Sequence, residues 1–228
     1  MDLNRRTALG ALAAAPLLAA GASLAAADPP PRVLAPVPLP FDPKKLPGLS
    51  EKLLVSHHDN NYAGAVKNLI AVRAALAETN KDTPAFVLSG LRERELNFSG
   101  SVVMHELYFG NLGGDGKAAG ALLKTLPADW QERLRASAMS LAGGSGWATL
   151  SLSLHSGDVN VGWASNHTQS SPSSLPLLVI DMYEHAYALD HGAAAAKYVD
   201  AVFANLAWDV VDRRYARARQ ALAACNAT

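Results

Sequence analysis

The run Leu177-Leu178-Val179-Ile180-Asp181 places a carboxylate at the end of four consecutive apolar residues, and His185 follows four positions later. An unbroken apolar stretch of this kind predicts a strand buried on both faces and central in its sheet. A carboxylate closing such a strand is costly to bury unless something pairs with it. The nearby imidazole makes a metal ion the natural partner, because Asp oxygen and His nitrogen are donors that transition metals accept. Two more histidines would complete such a site, and His57 and His105 are available earlier in the chain.

The other patterns supply elements to carry those residues. Apolar residues recur at helical spacing from Ser50 to Glu78, with Ser50 as the N-cap, and Asn80 to Pro84 breaks the helix. A second helix is expected over Ser99–Asn111, stopped at Gly113-Gly114. Helical stretches over Gly116–Leu126 and Asp129–Leu141 flank Pro127, with Asp129 as a cap. After Gly143-Gly144-Ser145-Gly146 the period changes. Leu150, Leu152 and Leu154 alternate with Thr149, Ser151 and Ser153, Ser156-Gly157-Asp158 turns the chain, and Val159, Val161 and Trp163 alternate again, which predicts a hairpin. Helices return over Ala193–Leu206 and Trp208–Leu222. The expected class is α+β: an N-terminal helical hairpin lobe (48–114) and a C-terminal α+β lobe (115–228) with a small three-stranded antiparallel sheet.

Composition bounds the function classes. Lysine plus arginine and aspartate plus glutamate are equal at 20 each, which gives no footprint for nucleic acid. The single cysteine, Cys225, cannot form an intramolecular disulfide. Arg5-Arg6, an Ala/Leu/Gly run and Ala25-Ala26-Ala27 read as an export signal over residues 1–27, cut after Ala27, and the paired arginines are similar to a twin-arginine signal. The expectation is a periplasmic protein with no membrane association once the signal is removed. Residues 28–47 are proline-rich and should be extended at the surface.

Three stretches together resemble the iron/manganese superoxide dismutase family: His57-His58 in the first helix, Gly144-Ser145-Gly146-Trp147-Ala148 before the hairpin, and Asp181-Met182-Tyr183-Glu184-His185-Ala186-Tyr187, close to the family's Asp-Val-Trp-Glu-His-Ala-Tyr signature. The likeness spans nearly all of the chain after the signal. It implies one iron or manganese ion per subunit held by His57, His105, Asp181 and His185, and superoxide disproportionated to oxygen and hydrogen peroxide. Three neutral imidazoles and one carboxylate leave a trivalent ion net positive, with a position free for solvent and an attraction for a superoxide anion. The resemblance assigns His167 to the metal-bound solvent as proton relay, with Gln169 the fallback. It makes Trp147, Phe109 and Tyr183 site walls, and sends Glu184 to a metal-ligand histidine of a partner subunit, hence a homodimer. His58, His155 and His191 are left to packing or solvent.

The chain departs from the family at the mouth of the site. Where members carry a gateway histidine and tyrosine it has Asn61 and Ala65, and Ala188 stands in place of an interface tyrosine; Tyr62 is close enough in sequence to refill part of the gap. These losses motivate an alternative, a non-catalytic metal-binding protein on the same fold with a degraded substrate gateway. Iron and manganese share the ligand set, so the choice between them stays open.

Overall fold

Ser50 opens the first helix as its position demands. Its hydroxyl accepts the Leu53 N–H at 3.1 Å, and its extended backbone turns the chain into α1 (Glu51–Ser56). The helix then widens: His57–Tyr62 form a π-helical turn before α2 (Ala63–Ala77) resumes the ordinary pitch. The buried positions Leu53, His57, Tyr62, Val66 and Leu69 record the change, because the step from His57 to Tyr62 is one residue longer than an α-helix allows. The single helix expected over Ser50–Glu78 is therefore three contiguous segments.

The computed structural model describes residues 32–226, so the export signal expected over residues 1–27 lies outside them. The elements all fall in one compact unit, Leu34–Thr228. α3 (Ala85–Gly110) begins well before the expected Ser99. Its first half packs on α2 and leaves apolar and charged residues exposed alike, Phe86 at 78% and Leu96 at 57%, so no amphipathic stripe announces it. Gly116–Leu126, expected as a helix, is a loop with one 3₁₀ turn at Leu122–Thr125. Two of its N–H groups are taken from outside: Gly116 by the Leu206 carbonyl at 3.1 Å, Leu122 by the Asp212 carboxylate at 2.8 Å. α4 (Trp130–Met139) follows with Asp129 at its N-cap as expected, although the carboxylate makes no capping bond and accepts from Arg133 Nε instead.

The three antiparallel strands are β1 (Trp147–Ser153), β2 (Val159–Ala164) and β3 (Ser174–Asp181), in the order β2-β1-β3. The hairpin pairs Leu150 with Val161 and Leu152 with Val159. Gly146 enters β1 at φ +138°, and a Cβ there would lie 2.1 Å from the Ala164 carbonyl oxygen, which is why the turn needs glycine. β3, expected to be central, is an edge strand. It is nonetheless buried from Leu177 to Asp181, with α3 and α7 packed against it, and side chains close its outer edge. The Asn111 amide accepts the Val179 N–H at 3.1 Å and donates to the Val179 carbonyl at 3.2 Å, while Arg214 donates to the Leu177 carbonyl at 3.1 Å. Covered thus, the edge needs no fourth strand.

A 3₁₀ turn at Glu184–Ala186 and the short α5 (Ala188–His191) lead to α6 (Ala195–Ala204) and α7 (Trp208–Cys225). The Asp190 carboxylate takes both the Ser50 N–H and hydroxyl, at 2.6 and 2.7 Å, and His191 donates to the Gly48 carbonyl at 2.8 Å rather than facing solvent. These bonds dock the segment after His185 on the start of the helix that bears His57. Among the described residues no helix is long and apolar enough to cross a membrane.

Candidate metal centre

Four elements deliver one side chain each to a common point: the π-helical turn His57, α3 His105, the end of β3 Asp181, and the following 3₁₀ turn His185. One ligand atom from each lies within 4.8 Å of all the others. Oδ2 of Asp181 is 3.1, 3.6 and 3.5 Å from Nε2 of His57, His105 and His185 respectively. Bonds of about 2.0–2.2 Å to one shared ion place neighbouring donors roughly 3.0–3.6 Å apart, which these spacings match.

The hydrogen bonds around the cluster decide its chemistry. Nδ1 of His105 faces the Ser101 carbonyl at 2.7 Å; a carbonyl only accepts, so the proton sits on Nδ1 and Nε2 presents a lone pair. Burial holds the His105 imidazole down to about 3 and lowers His57 as well, so both are neutral at neutral pH. Burial alone would push the Asp181 carboxyl up, but the His185 and His57 imidazoles beside it outweigh burial and hold it below the usual carboxylate range. A neutral nitrogen lone pair facing a carboxylate oxygen is two acceptors without a donor. Nε2 of His57, His105 and His185 and Oδ2 of Asp181 are all buried without a hydrogen-bond partner. A cation at their centre satisfies the four atoms at once, and nitrogen with oxygen donors suits iron or manganese.

The supports are specific. Oδ1 of Asp181 accepts the Tyr183 N–H at 2.9 Å, leaving Oδ2 for the centre, and the Tyr198 hydroxyl donates to the Asp181 carbonyl at 2.6 Å. Tyr198 and Ser101 are missed by the sequence reading in these roles. Tyr198 carries no local signal. Ser101 sits one turn before His105, where a backbone bond to the ring could have been anticipated.

Trp147 is fully buried, its ring 5.2 Å from that of His105, and its indole N–H donates to Nδ1 of His167 at 3.0 Å. With Nδ1 occupied as an acceptor, the His167 proton resides on Nε2. Burial lowers the His167 imidazole, favouring this neutral form. Its ring stacks on Tyr183 at 4.6 Å, and Tyr183 stacks on His185 at 5.3 Å. Phe109 packs 5.0 Å from His57. Gln169, the fallback for His167, is turned away, its amide oxygen holding Ser165.

A vestibule of about 240 Å³ leads to the centre, lined by His105, His167 and His185 together with Asn61, Ala65 and Ser101; among the described residues no acidic, lysine or arginine side chain and no tyrosine lines it. Tyr62 does not refill it: the hydroxyl is committed to Glu106 and Val37, at 2.8 Å each. Ala188 is exposed on α5 and outside this lining, and Glu184 is likewise exposed.

Residues 126–214 match the family described as iron/manganese superoxide dismutases, C-terminal domain. The chain is 45% identical over 188 residues to "Superoxide dismutase [Fe]" of Cupriavidus metallidurans, a likeness covering 79% of this chain and 95% of that protein. It is 36% identical over 195 residues to "Superoxide dismutase [Fe]" of Aquifex pyrophilus, covering 78% and 90%. It is also 32% identical over 196 residues to "Superoxide dismutase [Mn] 1" of Halobacterium salinarum, covering 80% and 95%.

Proposed function

The chain belongs to the iron/manganese superoxide dismutase family, and from that membership we infer that it is an enzyme disproportionating superoxide to oxygen and hydrogen peroxide with one iron or manganese ion per subunit. The observation that carries the reading is the set of four buried, partnerless donor atoms that one cation satisfies. The bound ion supplies a one-electron redox couple that can accept and return an electron. His57, His105, Asp181 and His185 hold it. Three neutral imidazoles leave a single carboxylate as the protein's negative charge, so the centre attracts an anion. Trp147, Phe109 and Tyr183 wall the site, their rings packed against His105, His57 and His185 respectively. His167 orients an Nε2–H and is the residue we assign to the solvent position and its proton.

Glu184, exposed beside His185, is free to meet a second copy, and on this reading the enzyme is a homodimer bridged there. Export rests on Arg5-Arg6 and the Ala25-Ala26-Ala27 site; an envelope fraction whose N-terminus is Asp28 supports it, and one that retains Met1 counts against it. The vestibule rebuilt around Asn61 and Ala65 is what favours the second reading, a metal-binding protein without fast turnover. Purified chain loaded with iron or manganese, assayed for superoxide consumption alongside its metal content, separates the two. Activity far above that of free metal is expected; full occupancy with none would establish the second.

A further inference from the structure

The proline-rich segment before α1 is fastened at Val37, and both backbone polar groups of that residue reach the π-helical turn carrying His57. Val37 stands between Pro36 and Pro38, so within this triplet it alone has an N–H to give. That N–H donates to the Tyr62 hydroxyl at 2.8 Å, and the Val37 carbonyl accepts from Nε2 of His58 at 2.8 Å. His58 directly follows His57, and Tyr62 is the last residue of the π-turn, so one residue grips the turn near both ends. The two rings lie 5.2 Å apart. Tyr62 is buried and passes its own proton to Oε1 of Glu106, the neighbour of His105 on α3, at 2.8 Å. The strap thereby touches, at one remove, both helices that present an imidazole to the centre.

A π-turn is a wide, uncommon element that persists where its surroundings hold it. The flanking prolines stiffen the strap, so docking it orders few free dihedrals. The Val37 side chain is 43% exposed, which leaves the grip to the backbone. We propose that Val37 and Tyr62 are positioning residues for the metal, clamping the π-turn so that Nε2 of His57 stays on the ion. This rests on His57 being a ligand.

The test uses the iron-loaded full chain and three variants. Val37→Pro deletes the N–H, Tyr62→Phe deletes the hydroxyl and keeps the ring, and Val37→Ala keeps both backbone groups. Transfer of iron to a chelator and the electron paramagnetic resonance spectrum of the ferric centre are measured. Val37→Pro, which loses one hydrogen bond, should release iron about tenfold faster, and Tyr62→Phe, which loses the bonds of its hydroxyl to both Val37 and Glu106, at least as fast, each with an altered rhombicity of the ferric signal, while Val37→Ala matches the parent. Parental release in the first two variants overturns the proposal. So does faster release with a parental spectrum, which marks general loosening. If Val37→Pro does not fold, Tyr62→Phe decides alone. His57→Ala checks the premise separately: parental iron affinity there would remove the ligand assignment whatever the strap variants do.

Discussion

Replacing Asn111 with leucine should unseat the strand that carries the carboxylate ligand. Asn111 is fully buried and its amide serves both polar groups of Val179, two residues before Asp181. Leucine is close in size, so the packing loss is small; the cost comes from a Val179 N–H and a carbonyl left without partners where water does not reach. Each such orphan costs about 1–3 kcal/mol, together about 2–6 kcal/mol, a large part of the ~5–15 kcal/mol that holds a domain folded. Arg214 loses one of three acceptors but keeps the Leu177 and Leu107 carbonyls. Burial pushes its guanidinium down to about 10, so it remains a cation at neutral pH. Asn111→Asp keeps an acceptor for Val179 N–H and Arg214 but sets two oxygens face to face at the Val179 carbonyl, and should fall between leucine and the parent. Urea unfolding of the metal-free proteins reads this directly, without the stabilisation that a bound ion adds. A loss below about 1 kcal/mol for Asn111→Leu would show that the edge is closed by something other than this amide.

His167→Ala should retain metal and lose roughly 10²-fold in turnover, with the Trp147 indole proton shifted in the NMR spectrum; loss of the metal would instead make His167 part of the cage. Metal-free protein should weaken as pH falls from about 6.5 toward about 3. His57 and His105 are lowered by burial while the unfolded chain takes up those protons below its ordinary value, so the unfolded state binds more protons across that window. A urea midpoint that stays level down to pH 4 would contradict it. Gly100→Ala should displace the loop bearing His167, since a Cβ there would sit 1.8 Å from the His167 carbonyl oxygen, whereas Gly90→Ala on the same helix meets nothing and should stabilise by about 0.5–1 kcal/mol. Equal thermal midpoints for the two variants would refute that contrast.

What could be read in advance follows from where the information lies. The Ser50 cap and the hairpin are local, written in a hydroxyl before a helix and in alternation on either side of a turn, and both stand. The grouping of His57, His105, Asp181 and His185 was legible because a short motif ties Asp181 to His185 and resemblance supplied the distant pair. The π-turn was not, since the same residues would fit an α-helix and only the burial of Tyr62 reveals the extra step. β3 reads as central because its apolar run reports burial, and burial does not distinguish a neighbouring strand from an amide and a guanidinium that occupy the same edge. The first half of α3 was missed for the opposite reason, as a helix with one partner and much solvent shows no stripe.

The order in which the chain leaves the ribosome gives the metal cage a built-in timing. His57 and His105 emerge first, yet the carboxylate comes 76 residues after the second of them, at the end of a strand that is seated by pairing along β1, Trp147 opposite Asp181, and by Asn111 and Arg214 on its other edge. Such distant pairings form late, after loop closure has been met. A nascent chain can thus offer an ion two of the cage's imidazoles without the cage's carboxylate. Uptake of iron or manganese by the full cage awaits the closed sheet, and the compartment in which the sheet closes is the one whose metal supply the centre samples.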